Sequence, residues 1–232
     1  MKTETINIQE KYEDQLNDLW SQTINSNNCN NSPYKEIIEI IKRGYAIESK
    51  VTKNSILFIS MNPSLPKDEK NGGNCEGYVF YDIHNNDHPF WRALNELYGK
   101  LDDPKPLLSH HDLLFIRETS QKKVLSLKNE KKLKNFFDCQ LQISKEIIND
   151  SKPVLIVVLN AGARTLFEEL FDKELCAPSY DKDLGAYIYN IGGKKTPVLF
   201  SGMLSGQHSL DIGSRESLIW HINYILKKIL VQ

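Results

Sequence analysis

The stretch Ser55 to Leu65, SILFISMNPSL, limits what this chain can fold into more than any other part of it. Ile56 to Ile59 is a short apolar run with polar residues on both sides. A run of that length suits a strand buried on both faces of a parallel sheet. It stops at Met61-Asn62-Pro63-Ser64. Asn62 precedes a proline, which drives it out of helical geometry. A polar amide therefore stands at the C-terminal lip of a buried strand, where ligands bind in open α/β sheets. The same residues also describe an ordinary strand exit closed by Asn-Pro.

Similar runs recur along the chain. Asp112 to Ile116 (DLLFI) and Val154 to Leu159 (VLIVVL) read as further buried strands. Tyr187 to Asn190 and Pro197 to Phe200 read as two strands joined by a tight turn at Gly192-Gly193. Helical spacing appears between them. Residues 5 to 24 carry a loose helical pattern, and Tyr34 to Glu48 carries an apolar stripe of Ile37, Ile38, Ile40, Ile41 and Tyr45. Asn85-Asn86-Asp87 is placed to cap a helix over His88 to Leu97, with Pro89 in its first turn. Further helices are predicted over Phe136 to Asn149, after Asn160 through Phe171, and from a Ser214 cap to Ile229. Buried strands alternating with helices imply α/β topology with right-handed crossovers. The expected fold is a three-layer α/β/α sandwich with a central, mainly parallel, four-stranded sheet. Residues 1–232 form one domain in this reading, with 1–33 as an N-terminal helical appendage.

Composition narrows the function classes. The formal net charge is -1, so a nucleic-acid binder of this sequence needs a local basic face rather than an overall one. The lysine-rich run from Lys122 to Lys134 is one candidate, and a solvated surface is the other reading of it. No apolar run approaches the roughly 20 residues of a membrane span. Cys29, Cys75, Cys139 and Cys176 are scattered, with no CxxC pair to suggest zinc or an iron–sulfur cluster. With no apolar export segment at the N-terminus, they point to a reducing cytoplasm.

The loops after the parallel strands should meet at one sheet edge. That edge gathers Met61, Asn62 and Ser64, the segment Arg117 to Ser120, Asn160, and the loop Ser201 to His208. Gly202 and Gly206 allow backbone amides to approach a ligand closely. There is no GxGxxG, no P-loop lysine, no GxSxG elbow and no carboxylate cluster for a metal. Dinucleotide, triphosphate and α/β-hydrolase chemistry are disfavoured, and no cofactor is expected.

FISMNPSLP followed by GYVF resembles the first motif of the uracil-DNA glycosylase superfamily, in which a strand runs into an Asn-Pro or Asp-Pro turn and then a short segment ending in Phe. HPFWRAL is similar to the helix start that follows, and PVLIVVLNAGART to the family's later strand–small residues–helix segment. Ser201 to Ser209 lies where the second active-site motif belongs. The order holds from about residue 34 onward.

The resemblance implies a monofunctional DNA glycosylase that hydrolyses the N-glycosidic bond of uracil or another damaged base, acting on DNA as a monomer without metal. Asn62 matches the residue that holds the attacking water, and as an amide it would position water rather than deprotonate it. Phe80 matches the aromatic that stacks on an extruded base. Asp112 stands near the place of an amide that reads the base edge. Met61, Ser64, Ser205, Gly206 and Gln207 complete the substrate contacts. The second motif departs from the family pattern. Met203 occupies the position of the usual His or Asn and cannot donate a hydrogen bond to the departing base; His208, a few residues on, is the substitute catalytic candidate. Loss of such a donor removes a large catalytic term. An inactive relative that binds nucleic acid, a nucleotide or a base in the same cleft therefore remains open. So does an unrelated Rossmann-like enzyme acting on a small molecule.

Overall fold

The computed structural model describes residues 4–27, 35–64, 77–82, 88–171, 178–206 and 209–230. Their element order is β1 (Thr5–Asn7), α1 (Ile8–Asn27), α2 (Lys35–Ile41), β2 (Ala46–Glu48), β3 (Lys50–Thr52), β4 (Ile56–Ser60), β5 (Val79–Tyr81), α3 (Pro89–Gly99), β6 (Leu108–Asp112), α4 (Gln121–Lys128), α5 (Lys134–Ser151), β7 (Leu155–Leu159), α6 (Ala161–Phe171), β8 (Ser179–Asp181), β9 (Ala186–Ile191), β10 (Lys194–Ser201) and α7 (Ile212–Leu230). The chain is a mixed α/β protein. Its main sheet has six strands in the order β6-β4-β7-β10-β9-β8. The four strands β6, β4, β7 and β10 are mutually parallel, and β9 and β8 extend the sheet antiparallel. The expected four-stranded sheet is the parallel part of a larger one, because the hairpin through Gly192-Gly193 and strand β8 add an antiparallel wing. Both turn glycines have positive φ, 57° and 80°, as a two-residue hairpin turn requires.

Side-chain alternation divides the interior between two apolar clusters. Leu57 and Ile59 of β4, and Ile156 and Val158 of β7, join one cluster. Ile56 and Phe58 of β4, and Leu155, Val157 and Leu159 of β7, join the other. This is why the central strands read as unbroken apolar runs. Helices α1, α2, α4, α5 and α6 contribute to the first cluster and α3 and α7 to the second. Tyr12, Leu16 and Trp20 of α1 are fully buried in the first, so the N-terminal helix is part of this core. No helix among the described residues is long and apolar enough to cross a membrane.

Several boundaries differ from the sequence expectation. The predicted helix from Tyr34 to Glu48 stops at Ile41, and Ala46 to Glu48 forms β2, paired in parallel with β5. Gly44, with φ 78°, makes the break. A Cβ there would lie 2.3 Å from the Gly77 carbonyl oxygen, so the turn also brings the two strands together. Gly44→Ala combines a left-handed backbone with a backbone clash. It should lower stability by at least about 1 kcal/mol, read as a lower urea midpoint at unchanged slope. The predicted strand Asp112 to Ile116 is displaced: β6 is Leu108–Asp112, and Leu113 to Ile116 follow it as buried, mostly non-strand backbone. α7 begins at Ile212 and its cap is Asp211, whose Oδ1 accepts the Ser214 N–H at 2.9 Å, rather than Ser214 itself. The Asn85-Asn86-Asp87 cap lies outside the described residues; α3 is capped by His88, whose Nδ1 accepts the Phe90 N–H at 3.2 Å.

Candidate functional site

Strand order places a topological switch point at the C-terminal ends of β4 and β7. From β4 the chain crosses to β6 on one side, then returns to β7 on the other. In open α/β sheets of this order the exits of two such neighbours are where a ligand is expected to bind. Asn62 stands at the β4 exit. Its Nδ2 lies 2.7 Å from the Glu118 carbonyl oxygen, 3.1 Å from that of Ile116 and 3.0 Å from that of Pro63. Three acceptors around one atom fix which end of the amide is nitrogen. Oδ1 has no hydrogen-bond partner among the described residues and remains as the acceptor.

The backbone around Asn62 is tied to the segment after β6. Leu113 N–H donates to Ser60 O at 3.0 Å, Leu114 N–H to Met61 O at 2.9 Å, and Glu118 N–H to Pro63 O at 3.2 Å. Glu118 is itself held: Arg43 Nη1 lies 2.8 Å from its Oε2, and its Oε1 accepts the Ser120 N–H at 2.8 Å. Burial pushes the Glu118 carboxyl up, but the Ser120 N–H and the Arg43 guanidinium outweigh it and hold the group below its ordinary value. An Arg43–Glu118 ion pair thus braces the Asn62 loop from behind.

At the β7 exit, Asn160 has φ 72°. Its N–H donates to Ser201 O at 2.8 Å, and its Oδ1 caps α6 by accepting the Ala163 N–H at 2.9 Å. Met61 is fully buried against this helix start: a Cβ on Gly162 would lie 2.6 Å from its sulfur. Met61, a substrate-contact candidate, therefore packs between the β4 exit and the start of α6. Ser64 is exposed beyond it. The loop after β10 closes on itself, with Leu210 N–H donating to Met203 O at 2.8 Å and Arg215 Nη2 to Leu204 O at 3.0 Å. Ser205 is half-buried in that loop, and Gly206 adopts φ 94°. Gln207 and His208 lie outside the described residues. Phe80 is half-buried and meets Tyr45 edge-on, with ring centroids 5.7 Å apart.

Asp112 is buried at the end of β6, in a polar network that the sequence reading did not assemble. Its Oδ1 accepts a short hydrogen bond from Ser60 Oγ, and its Oδ2 accepts one from Tyr81 OH at 3.1 Å. Ser60 Oγ also lies 2.8 Å from His110 Nε2. One residue on, His111 Nδ1 forms a short hydrogen bond with Glu48 Oε1 of β2. Phe90 and Trp91 of α3 meet the His110 ring edge-on at 5.1 and 4.8 Å. Burial, with the Glu48 charge, pushes the Asp112 carboxyl up to about 7 against the opposing hydrogen bonds of Ser60 and Tyr81. Burial, with His111 second, pushes His110 down to about 3. Tyr81 is driven well above its usual value, mainly by burial. Glu48 Oε2, His110 Nδ1 and His111 Nε2 are buried without a hydrogen-bond partner among the described residues.

Ser60, His110 and Asp112 do not form a nucleophile triad. The carboxylate bonds the serine instead of the imidazole Nδ1 that it would have to orient, and an imidazole titrating near 3 is a poor base. Both Asp112 oxygens are engaged, so the group holds neighbours together here. The sequence signal for this network was His110-His111-Asp112 ahead of an apolar run, three polar residues where a buried strand was due. Among the described residues, no group of three or more His, Cys, Asp and Glu side chains is placed to hold a metal ion. Three of the six lysines from Lys122 to Lys134 are ion-paired: Lys123 with Glu36, Lys128 with Glu169 and Lys134 with Asp138. Compared with protein families and with curated proteins, the chain matches no family model and no curated sequence.

Proposed function

We propose that the chain is a DNA glycosylase-like protein with an α/β/α sandwich of the uracil-DNA glycosylase type. It hydrolyses the N-glycosidic bond of uracil or another damaged base, as a cytoplasmic monomer acting on DNA. The observation that carries this reading is the setting of Asn62. Its amide nitrogen is committed to the carbonyls of Pro63, Ile116 and Glu118, at the lip of β4 beside the β4/β7 switch point. Oδ1 is then the group left to hold a water against the anomeric carbon of a flipped nucleotide. Glu118, held by Arg43 and the Ser120 N–H, fixes the backbone whose carbonyls anchor the Asn62 amide. Water supplies the hydroxyl to the sugar, and the base departs with the bonding pair and then takes a proton.

The test is a base-excision assay on single- and double-stranded oligonucleotides carrying uracil, hypoxanthine or xanthine, with alkali to cut abasic sites. Asn62→Ala should lower the excision rate by about a hundredfold or more while oligonucleotide binding survives. A second reading, a non-catalytic binder of nucleic acid or a base, is favoured by Met203, whose side chain cannot stabilise a departing base. Binding without cleavage of any substrate would select it, and neither binding nor cleavage would remove both.

A further inference from the structure

The buried polar network lies directly behind the candidate site and joins its two halves. Ser60 is the last residue of β4, two before Asn62, and Tyr81 follows Phe80 on β5. β5 pairs only with β2 among the described residues, so it has no ladder of its own to β4. One carboxyl spans that gap: Asp112 holds Ser60 with one oxygen and Tyr81 with the other. We propose that Asp112 is the positioning residue of this site, setting the β4 exit that carries Asn62 against the β5 segment that carries Phe80. The role of Asn62 and Phe80 rests on the reading above; the joint itself does not.

Hydrogen-bond counting says which form of Asp112 makes the better joint. Protonation of the carboxyl would reverse its bond to Ser60: the carboxyl then donates to Ser60 Oγ, Ser60 donates to a neutral His110 Nε2, and the second carboxyl oxygen accepts from Tyr81. In this form each link between Ser60, Asp112 and Tyr81 has a donor and an acceptor, and Asp112 itself carries no charge. An ionised carboxyl instead brings a second negative charge close to Glu48 in a site with little exposure to water. The titratable groups facing Asp112 are Glu48 of β2, Tyr81 of β5, and His110 and His111 of β6; α3 presents only the Phe90 and Trp91 rings to the His110 side. With a carboxyl titrating near 7, the joint tightens below neutral pH and loosens above it.

The experiment follows the Asp112 carboxyl carbon and the Asn62 side-chain amide by NMR from about pH 5 to about pH 9, alongside excision of uracil from a single-stranded oligonucleotide. In the wild type both signals should move with one midpoint near 7. Tyr81→Phe removes a donor to the carboxylate and should raise that midpoint. Asp112→Asn imitates the protonated form, donating to Ser60 and accepting from Tyr81. It should fix the Asn62 signal at its low-pH position and make the excision profile flat, where the wild-type rate falls about tenfold per pH unit above the midpoint. A carboxyl titrating in the ordinary range, or an Asn62 amide indifferent to the Asp112 midpoint, would overturn the proposal. Absence of excision and of oligonucleotide binding at every pH would defeat the glycosylase reading alone, since the NMR titration decides the joint without turnover.

Discussion

Glu48→Ala should cost about 3 kcal/mol or more of folding stability, because it strands a buried hydrogen-bonding ring and opens a cavity. That is a large part of the roughly 5 to 15 kcal/mol that holds a domain together. Glu48 and His111 are 1% and 0% exposed and joined by a short hydrogen bond. Deleting the carboxylate leaves His111 with both ring nitrogens unsatisfied, because Nε2 already has no hydrogen-bond partner among the described residues. It also leaves a hole between β2 and β6, two elements in different sheets. Replacing both members should be far milder. Glu48→Leu with His111→Phe removes two desolvated polar groups at once, and the new ring continues the edge-on contact that His111 makes with Phe115 at 5.9 Å. A double-mutant cycle by urea denaturation checks this: the double variant should be closer to wild type than Glu48→Ala is. If Glu48→Ala costs less than about 1 kcal/mol, the pair does not hold β2 to the main sheet.

This pair also shows where sequence reading stops. The runs Ile56 to Ile59 and Val154 to Leu159 announced themselves because both faces of those strands are covered by apolar clusters, and a doubly covered strand has no polar positions. β6 occupies an equally buried place with the residues Leu-Ser-His-His-Asp. Its burial is made possible by Ser60, Glu48 and Tyr81, which lie 52, 63 and 31 residues away from their partners in the chain. Periodicity examines one segment at a time and cannot see such compensation, so it places the strand at the apolar Asp112 to Ile116 rather than at Leu108–Asp112. The β2–β5 pair was hidden in another way. Ile37 to Tyr45 has helical spacing throughout, and only the left-handed turn at Gly44 separates helix from strand.

The candidate site was legible to the extent that it depends on strand ends. A buried run broken by Asn-Pro locates a polar group at a sheet edge without any knowledge of the rest, and Asn62 stands there. What Asn62 touches was not legible, since its three acceptors come from its own loop and from the irregular backbone after β6. Asp112, expected near the base edge, is held by Ser60 and Tyr81, contacts 52 and 31 residues away that no local spacing announces.

His110→Asn should uncover a pH dependence of stability that the wild type conceals. Asp112 holds its proton more tightly folded, near 7, than in the unfolded chain, where carboxyls titrate near about 4. Its contribution is therefore present at low pH and is lost as pH rises through that window. His110 behaves oppositely. It binds a proton only near 3 when folded but near about 6.5 when unfolded, so its contribution is present at neutral pH and is lost as pH falls. Stability changes with pH according to the difference in protons bound by the unfolded and folded states. Between about pH 4 and about pH 6.5 the unfolded chain carries one extra proton on His110 and the folded chain one extra on Asp112. The two slopes cancel, and the pair leaves a plateau. Removing His110 leaves the Asp112 slope alone, a loss of about 1.4 kcal/mol per pH unit on going up from about pH 4, or about 4 kcal/mol by pH 7. Asp112→Asn leaves the mirror image, a chain that gains stability over the same range. His110 is neutral throughout this window and adds no charge beside Asp112, but the two share the Ser60 hydroxyl, so the double variant measures their coupling. Urea midpoints at half-unit pH steps, taken as differences from wild type so that surface carboxylates drop out, separate the outcomes. Opposite slopes for the two variants support a neutral, proton-sharing network; parallel curves would mean that Asp112 is ionised in the folded protein and that His110 titrates normally.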